Sequence, residues 1–272
     1  MPSTVPTRRS VSSTIVLDVG DRADLVLAVA VAEGYECDHE ALTIELDGAP
    51  VEPALLPTGH GGRLHQLLQV DPGRLTIEYQ ATVVGAAEPA GSRPVEWWQY
   101  IRPSRYCESD QLGPLARDQF AGLDPVELLA GVSSWVGEHI AYVSGSSRPT
   151  DGAIATLLGR TGVCRDFAHL TIALLRANGV PARLAAVYAP GLDPMDFHAV
   201  VEAYVGESWL VVDPTCLAPR SSMVRIATGA DAADTAFLTT VAGTVDLVEM
   251  EVSAVAEPDL PIDGVTELVQ LR

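Results

Sequence analysis

A cysteine, a histidine and an aspartate follow one another in the second half of this 272-residue chain, each at the border of a predicted helix or strand. Cys164 lies in the first turn of a predicted helix, and residues 167–177 are apolar almost all round, a pattern typical of a buried helix. At such a helix start, unpaired backbone N–H groups and the helix dipole stabilise a thiolate and can bind an oxyanion. Cys164 is therefore a candidate nucleophile, and a small buried structural cysteine is the alternative.

His198 and Asp213 lie on two predicted strands joined by a short turn at Gly206-Glu207. His198 opens the first strand and Asp213 ends the second. With a two-residue turn, Asp213 lies opposite Val200 and is a diagonal neighbour of His198. A carboxylate in that position fixes the imidazole tautomer and stabilises the imidazolium. A three-residue turn would put the two side chains on opposite faces, so the prediction depends on the length of the turn.

Each of these residues also has a plain structural interpretation. Singly, His198 is typical of a hydrogen-bonded strand histidine and Asp213 of a solvated strand end. Together with a cysteine at a helix N-terminus, they predict nucleophilic Cys-His-Asp catalysis. A metal-dependent hydrolase that uses His198, Asp213 and either His169 or Cys164 is a competing hypothesis, but the sequence has no dense ligand motif such as H-E-x-x-H. We therefore expect no metal and no cofactor.

The surrounding sequence indicates which elements hold these residues. Short alternating strands over roughly 10–85 predict an N-terminal antiparallel β-sandwich. Within it, the sequence DPG at 71–73 predicts a hairpin between its two flanking strands. Residues 86–94 are typical of a linker, after which a helix is predicted over 109–123. An Asp-Pro pair at 124–125 predicts the start of the next helix.

Composition and charge exclude several classes of protein. Hydrophobic residues make up 47% of the chain and charged residues 19%, so the chain is not disordered as a whole. The 36 acidic residues outnumber the 17 basic ones and give a net charge of −19. Such a surface repels phosphate backbones and anionic lipids, so we expect neither a nucleic acid nor a membrane as partner. All 17 basic residues are arginines, so the chain has no lysine amine.

Apolar runs and cysteine spacing bear on cellular location and on disulfide or metal chemistry. No run approaches the roughly 18 apolar residues of a membrane span. The start of the chain, MPSTVPTRRS, lacks the apolar region of a secretory signal, so we expect a cytoplasmic protein. The four cysteines, at 37, 107, 164 and 216, are far apart and form no C-x-x-C pair. Zinc sites and structural disulfides are therefore not predicted.

Four segments between residues 161 and 215 occur in a specific order: TGVCRDFAHL, GVPAR, DFHAVVEAYV and WLVVDPT. They resemble the transglutaminase-like superfamily, and more narrowly its bacterial cysteine-protease group. YIRPSRYCESD upstream and VRIATGADAADTAFLTTVAG downstream extend the resemblance over roughly 95–252. It implies an α+β fold with an N-terminal antiparallel β-sandwich over 1–90 and a papain-like (transglutaminase-like) α/β core over 95–252. Residues 253–272 are then a C-terminal tail or a final strand.

By this resemblance Cys164 is the nucleophile, His198 is the general base and acid, and Asp213 is the orienting carboxylate. Animal transglutaminases also use a tryptophan indole N–H, in the loop before the nucleophile, as an oxyanion donor. This chain has no tryptophan between Trp135 and Cys164. Tyr142 lies near that loop and is the candidate donor in its place.

The implied function is acyl transfer through a thioester at Cys164, acting on amide or isopeptide bonds and most simply hydrolytic. The expected partner is a neutral or basic peptide or protein substrate. One alternative is a transglutaminase that cross-links protein glutamines. Another is a non-catalytic binding module on the same fold. The three candidate residues support hydrolysis and amine transfer equally.

Overall fold

The computed structural model describes residues 5–272. The N-terminal strands are β1 (Arg8–Val19), β2 (Ala23–Leu27), β3 (Glu36–Leu46), β4 (Ala49–Pro50), β5 (Ala54–Pro57), β6 (Arg63–Val70) and β7 (Gly73–Val84). The middle elements are α1 (Pro94–Tyr100), α2 (Gly113–Phe120), α3 (Pro125–His139), β8 (Ala141–Tyr142), α4 (Ala153–Gly159), β9 (Thr161–Gly162) and α5 (Cys164–Ala177). The last strands are β10 (Ala182–Tyr188), β11 (Phe197–Val205), β12 (Ser208–Val212), β13 (Val224–Gly229), β14 (Leu238–Ala242) and β15 (Val245–Glu257). No helix among these residues is long and apolar enough to cross a membrane.

Two antiparallel sheets form a sandwich, in the strand orders β15-β1-β7-β3-β4 and β14-β2-β6-β5. Every second residue of β1, from Arg9 to Val19, is buried, and β7 alternates in the same way. This period of two turns one face of each strand into a shared apolar core that includes Ile15, Leu25 and Ile77. The predicted α+β class is therefore confirmed, with a β-sandwich ahead of a mixed core.

The predicted hairpin at 71–73 is not formed. β6 and β7 flank that turn, but β6 pairs with β2 and β5 while β7 pairs with β1 and β3. The turn therefore carries the chain from one sheet to the other. Leu67 on β6 and Ile77 on β7 are both buried in the sandwich core from opposite sheets. Alternation shows which face of a strand is buried, but it does not show which sheet the strand joins.

The C-terminal part of the chain returns to the sandwich. β15 pairs with β1 from Arg8↔Glu257 to Val19↔Val245, and β14 pairs with β2. The expected division at 252/253 thus falls inside β15. The strand continues past this point because β15 covers the edge of β1, which would otherwise present unpaired backbone groups. The sandwich is completed only when the chain comes back to it.

The mixed core contains a four-stranded antiparallel sheet in the order β12-β11-β10-β13, covered by α5. α5 is buried along nearly its whole length, as its apolar sequence predicts, and Gly179 ends it at φ 83°. α3 begins as predicted, because Asp124 Oδ1 accepts hydrogen bonds from the N–H groups of Val126 and Glu127. α2 is shorter than its predicted range and begins beside Pro114, which favours the first turn of a helix.

A buried charged cluster joins the sandwich to the core. Glu202 on β11 accepts from Arg183 Nε at 2.8 Å and also binds Arg225 on β13. His60, in a loop of the sandwich, contacts Arg183 and lies 3.1 Å from Glu96 of α1. Because these charges lie away from water, each depends on its partners. The cluster therefore fixes the sandwich against the sheet that carries the candidate site.

Candidate active site

Cys164 is the first residue of α5, and the start of this helix is held by side chains on both sides. Asp166 Oδ2 accepts from the backbone N–H of Val163 at 2.8 Å, which caps the helix. Asp166 Oδ1 accepts from the Ser147 hydroxyl at 2.8 Å. Both carboxylate oxygens are thus engaged with groups other than the sulfur. The Cys164 side chain is half-buried and lies at the positive end of the helix dipole.

His198 and Asp213 meet across the β11–β12 hairpin. The turn contains only Gly206 and Glu207, at φ 59° and 66°, so the predicted two-residue turn is confirmed. The register runs from Val205↔Ser208 to Val201↔Val212. Continued by one pair, it places Asp213 opposite Val200, as predicted. His198 Nε2 lies 2.9 Å from Asp213 Oδ2, and both side chains are almost completely buried.

Thr215 holds the second oxygen of the carboxylate. Asp213 Oδ1 accepts from the Thr215 N–H at 3.0 Å and from its hydroxyl at 2.7 Å. Burial opposes ionisation of Asp213, but the charge of His198 and these hydrogen bonds outweigh it and lower the pKa of the carboxyl. Sequence reasoning missed Thr215 as a positioning residue. The spacing Asp-Pro-Thr was the available signal, because aspartates commonly bind the backbone two residues on.

The other ring nitrogen of His198 faces the cysteine. Nδ1 is buried and has no hydrogen-bond partner that meets ordinary geometric limits within residues 5–272. Burial disfavours the imidazolium, yet Asp213 and then Cys164 outweigh it and raise the pKa of His198 to about 10. The raised pKa favours the protonated form of His198. A protonated imidazole beside a sulfur is the arrangement that supports a thiolate nucleophile.

Tyr142 lies where an oxyanion donor is needed. β8 pairs in parallel with β9, with Tyr142 opposite Gly162, and this brings the tyrosine beside the start of α5. Burial, together with the neighbouring Cys164, raises the pKa of Tyr142 to about 12. The hydroxyl keeps its proton and remains a donor. Tyr142 and the Cys164 N–H are therefore the candidate oxyanion donors.

His169 is not part of this group. Its ring stacks on Tyr106 with a centroid distance of 5.1 Å, and Nε2 accepts from the Ala232 N–H at 3.2 Å. Burial, the largest influence, lowers the pKa of His169 to about 3. Within the described residues no group of three or more His, Cys, Asp or Glu side chains could hold a metal ion. His169 therefore fits a neutral structural role.

Cys164 and His198 open together onto a cleft of about 610 Å³. Its walls come from the core sheet, from residues 232–237, and from the sandwich. Sequence reasoning missed the residues that the sandwich contributes to this cleft. Their position depends on the pairing of β14 with β2 and of β15 with β1. Cys164 and His198 thus lie beside one cleft, and Asp213 contacts the imidazole from behind, an arrangement that suits attack on a carbonyl carbon.

Comparison with known proteins agrees with this architecture. Residues 115–214 match the family model of the transglutaminase-like superfamily. Uncharacterized proteins of Mycobacterium tuberculosis and Mycobacterium bovis are 31% identical over 214 residues, which cover 66% of this chain and 68% of theirs. The crystal structure of a candidate cysteine protease from Cytophaga hutchinsonii is 30% identical, covers 100% of this chain and 96% of its own, and superposes with a TM-score of 0.84. The chain belongs to the transglutaminase-like superfamily.

Proposed function

We propose that this protein is a cysteine-dependent acyl-transfer enzyme that hydrolyses amide or isopeptide bonds through a thioester at Cys164. The observation that carries the proposal is the polar chain Asp213–His198–Cys164. Asp213 Oδ2 lies 2.9 Å from His198 Nε2, the opposite ring nitrogen faces the sulfur, and the sulfur borders a cleft. In this proposal Cys164 is the nucleophile, His198 the general acid and base, and Asp213 the orienting group.

The proposed reaction begins when the Cys164 thiolate attacks the carbonyl carbon. The resulting oxyanion is stabilised by the Cys164 N–H and the Tyr142 hydroxyl. When the tetrahedral intermediate collapses, the carbon–nitrogen bond breaks and His198 Nδ1 gives its proton to the leaving amine. His198 then takes a proton from water, whose oxygen attacks the thioester. The carbon–sulfur bond then breaks and the acid product leaves. The Cys164 thiolate and the protonated His198 of the starting state are restored, so the proposed cycle uses no cofactor or metal.

Hydrolysis is favoured over amine transfer for two reasons. The Cytophaga hutchinsonii protein, which is similar over its whole length, is described as a candidate cysteine protease. The chain also has no tryptophan between Trp135 and Cys164, where animal transglutaminases carry their indole donor. The proposed substrate is a cytoplasmic peptide or protein. The net charge of −19 favours one that is neutral or basic. Amine transfer would use the same thioester and replace water by an amine.

The first test is alkylation of the native protein by iodoacetamide across pH, with each cysteine followed by peptide mass spectrometry. Rapid labelling of Cys164 near pH 6 supports the proposal, provided that His198→Ala loses it. Cys216 is an exposed thiol outside the site, so its labelling is the internal control. Peptide amides, isopeptides and amine acceptors then separate hydrolysis from transfer. If Cys164 reacts no faster than Cys216 in the native protein, the non-catalytic binding module becomes the better hypothesis.

A further inference from the structure

The cleft beside Cys164 is built by both parts of the molecule. On the core side, its lining includes Ala186 of β10 and Phe197 and Ala199 of β11. On the other side, it includes Phe237 and Met250, whose segments are bound to the sandwich. A backbone hydrogen bond of 3.0 Å from the Ala28 N–H to the Phe237 carbonyl fixes this wall. The sandwich therefore takes part in shaping the space that a substrate would enter.

The chemistry of the lining is mainly apolar. Phe197 and Phe237 stack with a centroid distance of 5.4 Å and an interplanar angle of 17°, so an aromatic surface bridges the two walls. Small alanines between the large side chains leave the space open. Arg165 also lines the cleft, but its guanidinium donates to the Ser147 hydroxyl at 2.5 Å and to the Arg148 carbonyl at 2.8 Å. Its donors are thus partly used within the protein.

A second cavity, of about 420 Å³, shares Ala233, Ala236 and Thr239 with the cleft. Its lining also includes the polar residues Arg93, Gln99 and Asp234. Its lining contains neither Cys164 nor His198. The apolar cleft, by contrast, reaches the sulfur and has the volume of an ordinary small-ligand site.

We propose that this cleft seats a large apolar group of the substrate, aromatic or long aliphatic, next to the carbonyl that Cys164 attacks. The proposal rests on the proposed function and adds the substrate class to it: peptides or amides with a bulky apolar residue beside the reacting bond. Burying such a group against the stacked Phe197 and Phe237 side chains removes apolar surface from water. It also holds the carbonyl at the sulfur, so that affinity and orientation arise from one contact.

The test uses two thiol reagents that share a reactive group, N-benzyl iodoacetamide and N-(2-methoxyethyl) iodoacetamide. The rate of Cys164 labelling is measured for each and divided by its rate with free glutathione. We expect a preference of ~10-fold or more for the benzyl reagent in the native protein. Ala199→Trp narrows the cleft from a half-buried position and should remove the preference, and Ala232→Trp provides the same test if the first variant fails to fold. Ala54→Trp, on an exposed edge strand of the sandwich, is the matched control and should keep it.

This experiment separates the inference from the proposed function. Near pH ~9.5 an ordinary thiol also reacts, so the preference is measurable even if Cys164 is not activated. Slow labelling at pH 6 with a benzyl preference at high pH would count against the proposed function and leave the apolar site standing. Equal corrected rates for the two reagents in the native protein, or a preference unchanged in both cleft variants, would overturn the inference.

Discussion

His198 Nε2 lies 2.9 Å from Asp213 Oδ2 across a hairpin whose turn contains only two residues. The turn length decides this contact, because one added residue would move the Asp213 side chain to the other face of the sheet. Thr215 binds the remaining oxygen of the same carboxylate at 2.7 Å. The carboxylate is therefore fixed on both sides, and it can hold the imidazole in one orientation while leaving Nδ1 directed at the sulfur.

Asp213→Asn should weaken the activation of Cys164. Loss of the negative charge lowers the pKa of His198, and each unit of that change shifts the equilibrium between the thiolate–imidazolium pair and the neutral thiol–imidazole pair about 10-fold. We expect the rate of Cys164 alkylation at pH 6 to fall about 10-fold or more, with the pH dependence moving toward that of an ordinary thiol. The measurement is the pH profile of iodoacetamide labelling.

Asp196→Asn is the matched control for that profile. Asp196 also lies near His198 and lines the cleft, but its one hydrogen bond within residues 5–272 is to the N–H of Phe197. The same chemical change should therefore leave labelling of Cys164 nearly unaltered. Equal losses in the two variants would mean that general negative charge, rather than the contact with Asp213, sets the state of His198.

Tyr142→Phe tests the proposed oxyanion donor. The hydroxyl acts only after a carbonyl oxygen becomes negative, so its removal should lower kcat/KM about 100-fold to 1000-fold. Alkylation of Cys164 by iodoacetamide forms no oxyanion and should keep its rate. Tyr106→Phe, in a second tyrosine that lines the cleft, is the control. An unchanged kcat/KM for Tyr142→Phe would remove this residue from the mechanism.

Local sequence signals predicted the parts of the site that local physics determines. Gly206 adopts left-handed backbone without strain, and the two-residue turn that it starts sets the hairpin register and the position of Asp213. The apolar run after Cys164 predicted a buried helix, and α5 is that helix. The meeting of Cys164 with His198 is a tertiary contact between α5 and β11, and the family resemblance, rather than a local pattern, predicted it.

Long-range pairing lay beyond those signals. The alternation of β6 and β7 was visible, but their membership in different sheets depends on partners far along the chain. The pairing of β15 with β1 joins residues more than 200 positions apart, and the predicted boundary at 252/253 lies within β15. For the same reason, no local pattern indicated that Met250 and Phe237 would line the cleft.

Glu202→Gln tests the charged cluster between the sandwich and the core. Burial opposes ionisation, but Arg225 and Arg183 outweigh it and lower the pKa of Glu202 to about 2. The ordinary value is 4.5, so ionised Glu202 stabilises the fold above that pH, and the contribution is lost as pH falls toward about 2. We expect the variant to be about 3–5 kcal/mol less stable at pH 7 because two buried arginines lose their charge partner.

The loss of stability in Glu202→Gln should depend on pH. Protonated glutamate resembles glutamine, so the difference in unfolding free energy between the two proteins should shrink between pH 5 and pH 2. Urea denaturation at each pH measures it. Glu207→Gln, in the exposed hairpin turn, is the control and should stay within about 0.5 kcal/mol of the parent protein. A constant difference at every pH would show that packing, not charge, causes the loss.

The last residues of the chain should stabilise the core that holds Asp213. The Val211 N–H donates to the Val269 carbonyl at 2.8 Å, which extends the sheet beyond β12, and Leu271 is 1% exposed within a core cluster that includes Val211. Leu271→Ala should lower the free energy of unfolding by about 2–5 kcal/mol. Leu268→Ala makes the same change at a side chain that is 52% exposed, and should cost much less. Thermal and urea unfolding measure both, and equal effects would mean that these residues do not pack on the core as the structure places them.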